Sequence, residues 1–206
     1  LLALPLGAQA AARPGGWVVR AVTAVALLSA SVPVFWLGLM LVALFAVTLG
    51  WLPAGGVATI GAEGGWADRL AHLALPASAL ALGGLGAYVR QTRAALLAER
   101  ARPYLRTARA KGCGPARLLL VHQARNALIP VVTLVGLELG ALVSGALVTE
   151  TVFAWPGMGR LIYDSVMGND FNLALSGLML ATAMTLLGSI VADLGLALVD
   201  PRTRGR

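Results

Sequence analysis

Four apolar runs dominate the chain: Ala21 to Leu49, Leu70 to Val89, Ala127 to Val148 and Leu173 to Val199. Each is long enough to cross a bilayer, since about 20 residues of helix span about 30 Å of hydrocarbon. Lipid offers no hydrogen bonds, so a spanning segment is either a helix or a strand in a closed barrel. Barrel strands alternate lipid-facing and lumen-facing residues with a period of two. None of the four runs does so; Leu, Ala and Val follow one another with small residues between them. The expected fold class is therefore all-α, a polytopic transmembrane helical bundle that takes residues 1–206 as one domain. With 58% hydrophobic and 12% charged residues, the chain lies outside the range of soluble globular domains. A fifth stretch, Leu1 to Ala12, reads as part of a further span inside which the sequence opens. Its Ala8-Gln9-Ala10 imitates a signal-peptide cleavage site, but no basic stretch precedes it.

Charge fixes the expected orientation. Fourteen of the sixteen basic residues fall in three segments: Arg13 and Arg20, a set of nine from Arg90 to Arg125, and Arg202, Arg204 and Arg206 at the tail. Four spans place these three segments on one side and leave Arg69 and Arg160 on the other. Short cytoplasmic loops carry the excess of Lys and Arg, so the basic loops are expected to be cytoplasmic in a multi-pass membrane protein. The net charge of +7 does not indicate nucleic acid as a partner, because its bulk is pinned beside a lipid surface that itself attracts basic residues.

The chemistry-bearing residues are few. Cys113 is the single cysteine and has no internal partner. His72 lies near the outer end of one span and His122 in the basic segment, so they share neither a metal nor a proton, and no metal site is expected. Ser144-Gly145 superficially suggests an intramembrane serine nucleophile, but neither histidine lies at its depth to act as base. The plainer reading is a small residue where helices approach closely. No catalytic residue is expected, and the chain is read as a non-enzyme.

From Arg106 to Pro130, "RTARAKGCGPARLLLVHQARNALIP" interrupts the apolar pattern. Pro103 suits the first position of a helix, Gly112 the position just past its end, and Lys111 the negative end of its dipole. A first helix over Pro103 to Lys111 follows, then a Gly112–Gly114 turn, then a second helix opened by Pro115. A plain positive-inside loop would account for the charge. It does not account for Ala108, Ala110 and Gly112, small residues that let another surface approach the backbone.

"YLRTARAKG", "HQARNALIPVVT", "ETVFAWPGMGRLIYDSV" and the closing "DPRTR" together resemble the inner-membrane permease subunit of ABC importers for dipeptides, oligopeptides, nickel and related solutes. The likeness extends upstream through "SVPVFWLGLMLVALFAVTLGWLP", and "RNALIP" resembles the first of the two paired peptide-type permeases. It implies the type I importer permease fold, with 90–126 as a cytoplasmic coupling loop whose short helix docks on an ATP-hydrolysing subunit. The family's Glu-Ala-Ala triplet falls on Arg106, Thr107 and Ala108, with Gly112 as its glycine, and Arg109 and Lys111 complete the coupling face. The implied partners are a second permease subunit, two cytoplasmic ATPases that bind ATP and Mg, an extracytoplasmic solute-binding protein and the lipid membrane. No cofactor is expected in this chain, which has no Gly-rich phosphate loop. The alternatives from composition are a membrane scaffold or a membrane-bound enzyme. Glu138, placed mid-span, reads either as a neutral or hydrogen-bonded helix contact or as a lining of the solute path; Ser144 is grouped with it. Glu150 and Asp193, nearer span ends, read as structural.

Overall fold

The computed structural model describes residues 2–12, 16–61 and 65–199, leaving aside the side chains of Val18, Val143, Ser144, Leu198 and Val199. Arg13, Arg202, Arg204 and Arg206 of the charge pattern lie outside these residues. Every regular element among the described residues is helical. The order is α1 (Ala3–Ala12), α2 (Trp17–Ser31) and α3 (Val34–Leu41), which runs into a π-helical stretch, Val42–Thr48. Next come α4 (Trp66–Arg100), α5 (Pro103–Ala110) and α6 (Pro115–Arg117), extended by a second π-helical stretch, Leu118–Gln123. The chain continues through α7 (Ala124–Ala127), α8 (Ile129–Ser144), α9 (Leu147–Val152), α10 (Met158–Met167) and α11 (Phe171–Val199).

Two of the four expected spans are continuous helices, α4 and α11, each long and apolar enough to cross a membrane. The other two are bent pairs, and counting each pair as one span brings the total to four. The run Ala21 to Leu49 is thus not one helix. Pro33 has no N–H to donate to the preceding turn, and its ring disfavours the helical region for Val32, so α2 ends and α3 begins afresh. Ala127 to Val148 is likewise divided. A bend of 48° falls at Leu128, where Pro130 removes the N–H that a straight helix would direct at Asn126. The same run stops again at Gly145, whose φ of +114° no helix accommodates. By contrast α4 continues past Val89 to Arg100, so Arg90 to Arg100 is helix rather than loop.

The chain groups into two compact units. The first comprises Leu1–Leu28, Leu85–Glu138 and Gly188–Arg206. Its core is made of small side chains, with Ala3, Ala10, Val22, Ala26 and Val89 in one cluster and Ala11, Leu96 and Ala127 in another. Such residues let helix backbones approach closely in the absence of a hydrophobic drive between them. A Cβ on Gly7 would lie 2.6 Å from Thr92, and one on Gly136 2.0 Å from Ala192. In this unit the π-helical geometry of Leu118–Gln123 has a visible cause: Leu118 and Gln123, five apart, are both buried. Residues five apart stack in a π-helix but diverge in an α-helix.

The second unit comprises Ser29–Gly84 and Leu139–Leu187. Leu75, Ala79 and Phe153 form its core, flanked by Val34, Val42, Phe45 and Leu52. Phe153 sits at the end of α9, and its carbonyl accepts the N–H of Gly56 at 2.8 Å. Residues 51–61 are held a second time by α4. The Thr59 N–H and hydroxyl donate to Asp68 at 2.8 and 2.6 Å, and the buried His72 places Nδ1 2.9 Å from the Gly55 carbonyl.

Candidate functional site

The basic segment folds as a helix-turn-helix elbow with the boundaries its punctuation implies. Pro103 occupies the first position of α5, and Lys111 caps its end. Gly112 follows with φ +79°, the left-handed conformation that glycine adopts without steric cost. The Gly112 N–H donates to Arg109 at 2.9 Å and the Cys113 N–H to Ala108 at 3.1 Å. These two bonds are the Schellman pattern, which satisfies the last carbonyls of a helix. Pro115 then opens α6.

α5 is anchored through one residue, and most of its remaining surface is bare. Leu105 is fully buried, and α5 packs on the π-helical stretch. Arg106, Thr107, Arg109, Lys111 and Gly112 are exposed and Ala108 is half-buried, so they are distributed around α5 and its closing turn rather than along one face. A Cβ on Gly112 would meet nothing within 4 Å. The elbow's polar anchor was not foreseen: the Tyr104 hydroxyl donates to the Glu99 carboxylate and accepts from Asn126 Nδ2 at 2.9 Å. Burial, followed by the bond to Glu99, pushes the Tyr104 phenol above the ordinary tyrosine value, so it stays a donor. Gln123 adds a buried bond from its amide to the Leu96 carbonyl of α4. An open basin of about 670 Å³ lies beside this network, lined by Glu99, Arg102, Tyr104, His122, Arg125 and Asn126 among others.

Glu138 lies mid-way along α8 and is exposed. Gly136 and Gly140, one turn apart, share the face that approaches α11 at Ala192 and Thr185. Glu138, midway between them in sequence, therefore points from the opposite side of the helix. The carboxylate is thus turned away from the α11 contact. Ser144 closes α8, and its side chain is outside what the structure describes.

From residue 3 to residue 205 the sequence matches the family described as binding-protein-dependent transport system inner membrane component. The chain belongs to that family. Its helices and apolar runs agree with a membrane component of the type I permease fold. The chain is similar to the oligopeptide transport system permease protein AppB of Bacillus subtilis, 37% identical over 202 residues that cover 98% of this chain and 64% of the relative. The di/tripeptide transport system permease protein DppB of Pseudomonas aeruginosa is 38% identical over 216 residues, 96% of this chain and 64% of the relative. The dipeptide transport system permease protein DppB of Escherichia coli is 36% identical over 222 residues, 98% and 66%. This chain therefore spans just under two thirds of the length of these members of the family. All three are named as permeases rather than as enzymes.

Glu150 has a structural assignment in this family member. Its carboxylate is buried, accepts the Ala146 N–H at 2.8 Å at the start of α9 and the Arg160 N–H at 2.7 Å in the first turn of α10. Carboxylates are favoured at helix N-termini, where unpaired N–H groups and the dipole's positive end meet. Gly157 makes room for it, because a Cβ there would lie 2.2 Å from the carboxyl carbon. This explains "ETVFAWPGMGR" as a clasp in which one acid serves two helices. Among the described residues no group of three or more His, Cys, Asp or Glu is placed to hold a metal ion.

Proposed function

We propose that this chain is the permease subunit of an ATP-driven importer, in which α5 is the contact for a cytoplasmic ATPase. The observation that carries this reading is the exposed surface of α5 and its closing turn, where Arg106, Thr107, Arg109, Lys111 and Gly112 are open to solvent and Ala108 is half-buried while Leu105 anchors the helix. A helix built only to cap a loop has no need of an exposed small-residue turn backed by a buried anchor. The relatives named as oligopeptide, di/tripeptide and dipeptide permeases support peptides as the solute class. The family's binding-protein-dependent description supports an extracytoplasmic binding protein, a second permease subunit and two ATPases, which would bind the ATP and Mg. The Arg-rich elbow then faces the cytoplasm, as the bias of basic residues requires. Closure of the ATPases pushes on α5, and the spans rock around a solute path. Glu138 lines that path: an acid in hydrocarbon costs several kcal/mol unless it meets water or a partner, and its face of α8 is turned away from α11.

Gly112→Val tests the elbow. A β-branched residue disfavours the left-handed cap by roughly 1 kcal/mol or more, and its bulk falls where the second surface approaches. The assembled complex should lose transport and hydrolyse ATP without responding to solute-loaded binding protein. Normal stimulation in Gly112→Val would sink the reading.

A further inference from the structure

The polar tie between α5 and the helices around it centres on one hydroxyl, and what that hydroxyl does rests on the reading of α5 as the ATPase contact. The covalent links alone leave α5 loose. It has eight residues, reaches α4 through Ala101 and Arg102, and reaches α6 through the Gly112–Gly114 turn, where nothing packs within 4 Å of either glycine's missing Cβ. Leu105 supplies an apolar anchor, which resists lifting of the helix but not rotation about that point. The Arg102–Glu99 ion pair, 3.6 Å long with Arg102 65% exposed, adds little against solvent.

Tyr104 supplies the missing constraint. The residue is 37% exposed, so packing holds it only in part and the hydroxyl does the rest. That hydroxyl has a single proton, given to Glu99 in the last turn of α4, and it accepts the Asn126 amide of α7 at 2.9 Å. Three helices separated in sequence thereby meet at one oxygen. The His122 carbonyl, at 3.2 Å, stands by as a weaker acceptor. Gln123, bonded to Leu96, ties α4 to the π-helical stretch that leads into α7, without α5.

We propose that Tyr104 is a positioning residue whose hydroxyl fastens α5 to α4 and α7, so that a push on α5 is passed to both membrane-entering helices as one body. Because Gln123 already joins the π-helical stretch to α4, loss of the Tyr104 hydroxyl frees α5 alone and leaves its supports in place.

The test uses the full chain assembled with its partner permease and ATPases, in a Cys113→Ser background with spin labels at Ala94 of α4 and Ala110 of α5, both exposed. The distance between labels is measured nucleotide-free and after vanadate trapping. With Tyr104 present, one narrow distribution should appear and stay fixed on trapping. Tyr104→Phe should broaden it and make it shift on trapping. Glu99→Ala should do the same, while Glu99→Gln, whose amide oxygen still accepts the phenol, should retain the narrow distance. The Tyr104→Phe and Glu99→Ala double variant should be no broader than either single change, as expected for one shared bond. A narrow, nucleotide-independent distance in Tyr104→Phe overturns the proposal, as does a distance that moves on trapping with Tyr104 intact. Gly112→Val separates the two levels. If it keeps solute-stimulated hydrolysis, the elbow reading and this proposal fall together; if it uncouples while Tyr104→Phe keeps the fixed distance, only the role of Tyr104 falls.

Discussion

Residues 145–170 and residues 103–127 are built from the same local devices and use them differently. Both stop short helices with Schellman turns. Ala154 and Asn169, at φ +48° and +57°, end α9 and α10 as Gly112 ends α5. In the first region glycine is demanded by contact. Cβ atoms on Gly145, Gly157 and Gly159 would come within 2.2, 2.2 and 2.8 Å of neighbouring atoms, and a buried carboxylate fills the space that glycine leaves. In the second, Gly112 is demanded by its backbone angle alone, and the space around it is open. A region whose glycines are filled by its own chain is a finished structure. One whose glycine faces open space leaves room there for the second surface proposed above.

The sharpest way to break this comparison is Gly145→Ala. The change meets the Gly159 backbone at 2.2 Å and also carries a φ of +114°. Strain of this kind costs about 1–3 kcal/mol from the backbone angle alone, and the clash adds to it. The variant chain should accumulate poorly in membranes and unfold earlier in detergent, whereas Gly112→Val should accumulate normally. Equal accumulation of the two would erase the distinction between glycines required by contact and by angle.

Glu150→Gln is the next largest change. The amide preserves volume but turns an NH2 toward one of two backbone N–H donors. Losing a hydrogen bond to a charged group costs about 1.5–3 kcal/mol. Thermal unfolding in detergent should start earlier by a smaller margin than for Gly145→Ala, and the amides of Ala146 and Arg160 should exchange hydrogen faster. Unchanged exchange at both positions would mean that Glu150 caps neither helix.

The smallest effect comes from pH. Tyr104 is raised above 10.0, so its contribution is whole below that value and is lost as pH rises through the raised one. Alkali should therefore loosen the elbow before residues 145–170. Hydrogen exchange across a pH series checks this, with Tyr104→Phe abolishing the alkaline effect.

The elbow was legible because its signals are local: Pro at a first position, Gly past the end and Lys before it act within a few residues of themselves. The broken spans were not, since hydropathy sums over Pro33 and Gly145 without registering that one lacks an N–H and the other reverses the sign of φ. Glu150 could be read as structural from its place near a span end, but not as a double cap, because its partners are backbone N–H groups that carry no sequence signature. Tyr104 escaped notice for a related reason. Its partners, Glu99 and Asn126, lie on different helices, and only the fold brings them to one oxygen.

The π-helical stretch also bears on how the chain counts its residues. Leu118 and Gln123 share a buried face only because the backbone there takes about one extra residue per turn. Removing the exposed Leu120 would leave the two residues four apart, the spacing at which an α-helix aligns them. The deletion could therefore be taken up by a change of winding with both anchors kept, and α7 and α8 would stay in phase. The same deletion inside α8 has no such slack: it would turn everything beyond it by roughly 100° and carry Gly140 off the face it shares with Gly136. In this segment, sequence length is a quantity the fold can adjust, in the way a vernier takes up a fraction of a division.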